Sequence, residues 1–156
     1  MDNNDILRRL RYALDISDSA MIHIFKHAGH DISGSALLDI LKKEEEEGYA
    51  PCGDRELGLF LDGLIIQRRG RKETTDPEPL EKPEVILSNN MILKKLRIAL
   101  DFKEDDMIEM FKLSEFDISR PELSALFRKQ GHKHYKVCGD QILRNFLQGL
   151  TVHFRK

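Results

Sequence analysis

Two short signatures hold the residues best suited to chemistry. Cys52-Gly53-Asp54 returns 86 residues later as Cys138-Gly139-Asp140. A thiol at the start of a helix is a candidate nucleophile, because the helix N-terminus and nearby cations favour the thiolate. The same trio also reads as structure alone: a small buried cysteine, a permissive glycine and an aspartate cap for the helix that follows. Free cysteine is among the most buried residue types, and no histidine recurs beside the pair, since His132 and His134 stand opposite Glu46 and Gly48. We expect both cysteines to be structural. His132, His134 and Cys138 also form a candidate metal set, but zinc takes about four ligands and the first copy has no equivalent trio. His23 and His27 have the i,i+4 spacing of helical metal ligands, with His30 just beyond, yet Glu109 and Leu113 stand opposite the first two. No metal or other cofactor is expected. P-loop, G-x-G-x-x-G, H-E-x-x-H and G-x-S-x-G motifs are absent from the sequence. Asp15 and Asp101 recur as single carboxylates near helix ends, as caps do, so nothing supports an enzyme.

Basic residues make the stronger pattern. Arg8 and Arg11, with Lys94 and Arg97 opposite them, form an i,i+3 stripe on the outer face of a helix. Arg68, Arg69, Arg71 and Lys72 follow one later helix, and Arg155 and Lys156 follow its counterpart. Cations at helix C-termini suit the helix dipole, which accounts for part of this. Arg8, Arg11, Lys94, Arg97, Arg68 and Arg69 are the candidate contacts to a macromolecule. No aromatic stacking platform interleaves with them in the sequence. One loop also contrasts between copies: Glu44-Glu45-Glu46-Glu47 stands opposite Gln130-Gly131-His132-Lys133, with His134 following. The two loops are expected to face each other, within a chain or across a dimer.

These residues are positioned by a tandem repeat. Sliding the 156-residue chain by 86 aligns residues 3–70 with 89–156 without a gap, and 28 of the 68 positions are identical. Residues 71–88 lie between the copies and hold Pro77, Pro79 and Pro83 among acidic residues, the composition of an extended, solvated linker. Its end, Val85-Ile86-Leu87, is apolar enough to dock on a repeat. Repeat one carries a net charge of −3 and repeat two +4, against −2 for the whole chain. That balance excludes a polycationic protein, while the basic second repeat can attract phosphate.

Apolar residues recur at three and four within each repeat, and no useful stretch alternates with period two, which argues for helices alone. Ile6, Leu7, Leu10, Ala13 and Leu14 share one face of a first helix that Asn3 or Asn4 caps. A second helix starts near Ser17 or Asp18, buries Met21, Ile22, Phe25 and Ala28, and ends at Gly29. Ser33 caps a third with Ala36, Leu37, Ile40 and Leu41. Ser119-Arg120-Pro121-Glu122 has the capping-box spacing with proline in the first turn. Asp54 caps a fourth helix with Leu57, Phe60, Leu61, Leu64 and Ile65 inside. Gly63 and Gly149 fall mid-helix, where glycine costs about 1 kcal/mol relative to alanine, so a close helix crossing is expected there.

The duplicated Asn-Asn…Ile-Leu…Leu-Arg, Cys-Gly-Asp and Phe-Leu-x-Gly-Leu segments, joined by a charged proline-containing linker, resemble the bacterial YehS-like family. That is a family of small two-repeat proteins of unknown function, and the resemblance covers nearly the whole chain. It implies a bacterial, cytoplasmic protein and supplies no catalytic residues.

The expected architecture is all-α: two tandem modules of about four helices each, packed together with approximate two-fold symmetry, and no membrane-spanning segment. The leading functional reading is a non-enzymatic binding or regulatory protein that contacts another macromolecule, with a protein partner expected and a homo-oligomer an open alternative. The rivals are a nucleic-acid binder using the basic stripes and an enzyme of unrecognised chemistry.

Overall fold

The computed structural model describes residues 1–70 and 86–155. Among them are eight helices and no strand: α1 (Asn3–Leu14), α2 (Asp18–His27), α3 (Gly34–Leu41), α4 (Asp54–Arg69), α5 (Asn89–Leu100), α6 (Glu104–Leu113), α7 (Arg120–Leu126) and α8 (Asp140–Phe154). Each repeat supplies four, as the periodicity requires. Of the linker's apolar end, Leu87 is buried and Ile86 is exposed, while Val85 and the proline-rich stretch lie outside the described residues.

Local chemistry explains most of the helix boundaries. Ser17, Ser33 and Ser119 cap α2, α3 and α7 through their hydroxyls. Ser119 and Glu122 close a reciprocal capping box, each accepting the other's backbone N–H at 3.2 Å. Three expected caps are displaced. Asp2, not Asn3 or Asn4, caps α1, and Gly53 and Gly139 occupy the cap positions of α4 and α8 without side-chain bonds. The aspartates and asparagines so released make tertiary contacts instead. In α2 the buried set is Met21, Ile24 and Phe25; Ile22 is only half-buried, Ala36 of α3 is exposed, and Ile24 joins the core because α2 crosses α4 there.

Asn4 and its counterpart Asn90 fasten the long loop between the third and fourth helices of their repeats. The buried Asn4 amide donates to the carbonyls of Ile40 at 2.8 Å and Ala50 at 2.9 Å, and its oxygen accepts the Cys52 N–H at 2.8 Å. Asn90 repeats this with the carbonyls of Leu126 and Lys136 and the N–H of Cys138. Backbone groups on both sides of the loop are thereby bonded to the first helix, and the fourth helix starts beside the start of the first.

The two modules pack as one body. α1 lies along α8 and α4 along α5, so the first helix of each repeat pairs with the fourth helix of the other, and the buried side chains of both repeats form a single core. α2 packs outside α4, and α6 outside α8. The pairs α1/α8 and α4/α5 exchange under the 86-residue shift, which is the expected two-fold relation. The central pairs run parallel. At one end, the Met1 ammonium meets Asp140 at 3.2 Å, and Asp54 accepts both the Asn3 amide at 2.8 Å and the Leu87 N–H at 2.9 Å. At the other end, Arg155 reaches the Tyr12 carbonyl at 3.1 Å and Arg69 the Ile98 carbonyl at 3.3 Å. Within the chain no ion pair joins the acidic and basic loops among the described residues: Glu46 accepts from the Lys43 N–H within its own turn, and His134 donates its N–H to His132.

Gly63 and Gly149 mark the tightest crossings. A Cβ built on Gly63 would lie 1.9 Å from the Ile24 carbonyl oxygen, and one on Gly149 1.9 Å from that of Met110. The obstacle is backbone, so it cannot swing aside. Gly63→Ala and Gly149→Ala are each expected to lower stability by about 1–3 kcal/mol or more in denaturant titrations. Gly34→Ala, where a Cβ meets nothing within 4 Å, should be neutral or stabilising by up to about 1 kcal/mol.

Candidate functional site

Parallel packing brings the ends of α1, α4, α5 and α8 together, and with them the negative ends of four helix dipoles. Arg11, Arg68, Arg69, Arg97 and His153 occupy the last turns of these helices, and Arg155 follows α8. The opposite end carries Asp5, Asp54, Glu56 and Asp140 in first turns. Each such charge contributes about 0.3–1 kcal/mol at an exposed helix end. Much of the basic patterning is thus a consequence of helix direction, and its result is a molecule polarised along the bundle.

Four of the six candidate contacts have structural partners among the described residues. The Nη1 atom of Arg8 donates to the carbonyls of Leu41 at 3.2 Å and Lys42 at 2.8 Å, and Nη2 lies 3.4 Å from Asp5. Arg11 pairs with Asp18. Arg97 donates to the Phe102 carbonyl at 3.1 Å, its guanidinium 4.8 Å from the centre of the Phe127 ring. Arg69 reaches Asp101 at 2.7 Å. Arg68 is exposed and lines a cleft of about 410 Å³ with Arg69 and Asp101. Lys94 is exposed on the outer face of α5.

Asp15 and Asp101 end α1 and α5 in the left-handed conformation, at φ of 52° and 56°. Aspartate is one of the few non-glycine residues that tolerate it. Their N–H groups close the helices, which frees the carboxylates to meet the other repeat: Arg155 lies 3.4 Å from Asp15 as Arg69 lies by Asp101. These exposed pairs are worth about 0–1 kcal/mol each and set register more than stability.

A groove of about 640 Å³ opens beside α1, lined by Arg8, Arg11, Tyr12, Asp15, Leu41 and Arg155 among others. The Arg155 guanidinium stacks 4.1 Å from the centre of the exposed Tyr12 ring. This corrects the expectation that no aromatic platform accompanies the basic residues: the two partners are 143 positions apart in sequence, and only the pairing of α1 with α8 joins them. In repeat two, Ile98 stands where repeat one has Tyr12, and Phe127 where it has Leu41.

The other candidates resolve as follows. Cys52 and Cys138 are buried, and burial pushes their thiols up to about 12 and about 11. Neither is a thiolate near neutral pH, so neither thiol is an activated nucleophile. His132 and His134 are exposed while Cys138 is buried, and among the described residues no three histidine, cysteine or carboxylate side chains converge on a metal position. One buried carboxylate was not legible in the sequence. Asp62 on α4 is paired with Lys95 of α5 through one oxygen, and its other oxygen is buried without a hydrogen-bond partner. Burial pushes its carboxyl upward, and the hydrogen bond from Lys95 opposes part of that shift. Gln148 stands at the equivalent place in repeat two and is exposed.

An all-α protein built from two sequence-related repeats, fused back to back, is the class this geometry defines. The model of a family described as "Protein of unknown function (DUF1456)" matches residues 3–70 and 89–156, the same two repeats. The chain is also similar to "Uncharacterized protein YehS" of Escherichia coli (strain K12), with 39% identity over 158 residues covering 100% of this chain and 99% of the relative. The chain belongs to this YehS-like family, as the duplicated motifs imply. No solved structure matches it. Among the described residues no helix is long and apolar enough to cross a membrane.

Two measurements check this account. Both thiols should resist a disulfide reagent at pH 8 in the native protein and react promptly once it unfolds, since each lies well above its ordinary value when buried. Asp62 binds its proton more tightly folded than unfolded. Its contribution to stability is therefore full below the unfolded carboxyl value, about 3.9, and is lost as pH rises through the raised folded value. Asp62→Asn removes that dependence, so the variant should gain on the wild type in denaturant titrations as pH rises from about 4 to 7.

Proposed function

We propose that this chain is a non-enzymatic binding protein that engages another macromolecule through the basic end of its helix bundle, in the bacterial cytoplasm. One observation carries the reading: Arg11, Arg68, Arg69 and Arg155 line two clefts at the end where α1, α4, α5 and α8 finish, with Arg97 in the last turn of α5. Such an end, where the arginines outnumber Asp15, Asp18 and Asp101, attracts an anionic partner and raises its rate of encounter, an effect that falls with ionic strength. An enzyme is not favoured, because the buried thiols are held protonated and Asp62 is enclosed between helices rather than open to a substrate. A nucleic-acid partner is the second reading, favoured specifically by the Arg155–Tyr12 stack in an arginine-lined groove.

The test is affinity capture from a bacterial lysate with the wild-type chain and with a Lys94→Gln, Arg68→Gln, Arg97→Gln variant, each with and without nuclease. The reading expects a macromolecule retained by the wild type at low salt and reduced about tenfold or more in the variant, from the loss of three cationic groups. Equal retention by both proteins would remove the basic end from consideration.

A further inference from the structure

We propose that the groove beside α1 binds a nucleotide unit, free or within a single strand of nucleic acid. This deepens the reading of the basic end as a binding face and rests on it. Arg8 and Arg11 come from α1 and Arg155 from the residue after α8, so the site exists only when the two repeats pack. Three guanidinium groups face one lining carboxylate, Asp15. Described contacts engage both terminal nitrogens of Arg8, Nη2 of Arg11 and Nη1 of Arg155. A guanidinium carries five N–H donors in a planar fork that matches phosphate oxygens in pairs, and each of the three keeps donors in reserve. Their existing bonds to carbonyls and to Asp5, Asp15 and Asp18 hold the forks in place, which lowers the ordering cost of binding.

The ring decides between ligands. Tyr12 is 58% exposed, and its one described ring partner is the Arg155 guanidinium. A guanidinium stacked on an aromatic ring is a flat, cationic platform on which a base can lie, and base stacking of this kind is indifferent to sequence. An acidic peptide would use the arginines but has no need of the ring. The groove's volume of about 640 Å³ lies within the range of small-ligand sites, about 300–1,000 Å³. Leu41 and Ile16 add apolar wall beside it. Repeat two lacks these features: Ile98 stands in place of Tyr12, and Phe127 fills the place of Leu41 beneath Arg97. Among the described residues the chain therefore carries one such site, between α1 and the end of α8.

The experiment titrates the full chain at low salt with adenosine monophosphate, with a ten-residue oligouridylate, with inorganic phosphate and with an oligoglutamate peptide. Saturation at one site per chain by the mononucleotide or by the oligouridylate is the expected result, the former marking a free nucleotide and the latter a strand. Tyr12→Ile places in α1 the residue that α5 already accommodates, and it should weaken that binding at least fivefold, the lower edge for losing one base–aromatic stack. Tyr12→Phe should retain it. Circular dichroism of each variant separates lost binding from lost fold. Binding of neither nucleotide probe, binding equal in the folded Tyr12→Ile variant, or binding of oligoglutamate in preference to both nucleotide probes would overturn the proposal. If the lysate capture still depends on the basic end in that case, the binding-face reading stands and only the nucleotide assignment falls.

Discussion

The carboxamides of Asn4 and Asn90 hold the arrangement on which everything else depends. Each sits inside the first turn of a first helix and spends its donors and acceptor on backbone groups of the third helix's last turn and of the loop leading to the fourth helix. A buried backbone group without a partner costs about 1–3 kcal/mol, so a loop of this length packed against a helix is tolerable only with such a supply. No apolar residue could replace the asparagine, and no aspartate could donate. Because the loop is tied there, the fourth helix begins level with the first and runs in the same direction. That shared direction, repeated by the two-fold relation, makes the central helices parallel.

Parallel helices add their dipoles instead of cancelling them, and the charge pattern follows. Acidic side chains collect at the starts and basic ones at the ends, which stabilises the bundle and at the same time produces a cationic end with two clefts. Under the proposed binding reading, stability and recognition are thus not separate demands on these arginines. Arg69 and Arg155 show this most directly: each closes the contact between repeats through the other repeat's helix-terminating aspartate, and each borders a cleft.

Much of this could be read from the sequence, and the part that could not has a common cause. Helix number and class follow from local periodicity, and Gly63 and Gly149 announce a crossing because mid-helix glycine has a cost that must be compensated. The caps of α1, α4 and α8 lie one or two residues before the expected ones, because Asn3, Asn4, Asp54 and Asp140 are good caps locally but are recruited by long-range contacts. The recurrence of Asn-Asn and Cys-Gly-Asp at matching separation was a usable signal that the two segments touch. Tyr12 with Arg155, and Asp62 with Lys95, were illegible because they join helices of different repeats, and only the mode of packing decides which faces meet.

Fusion of the two repeats has a consequence of its own. In a dimer of identical chains, every substitution appears twice, and a change that improves one half of a symmetric interface must be endured by the other. Here the halves are covalently distinct. Tyr12 can differ from Ile98, Leu41 from Phe127 and Asp62 from Gln148 while the shared framework of asparagines, glycines and terminal arginine–aspartate pairs is left intact. One half is free to specialise while the other keeps the scaffold, a division of labour closed to a strictly symmetric assembly.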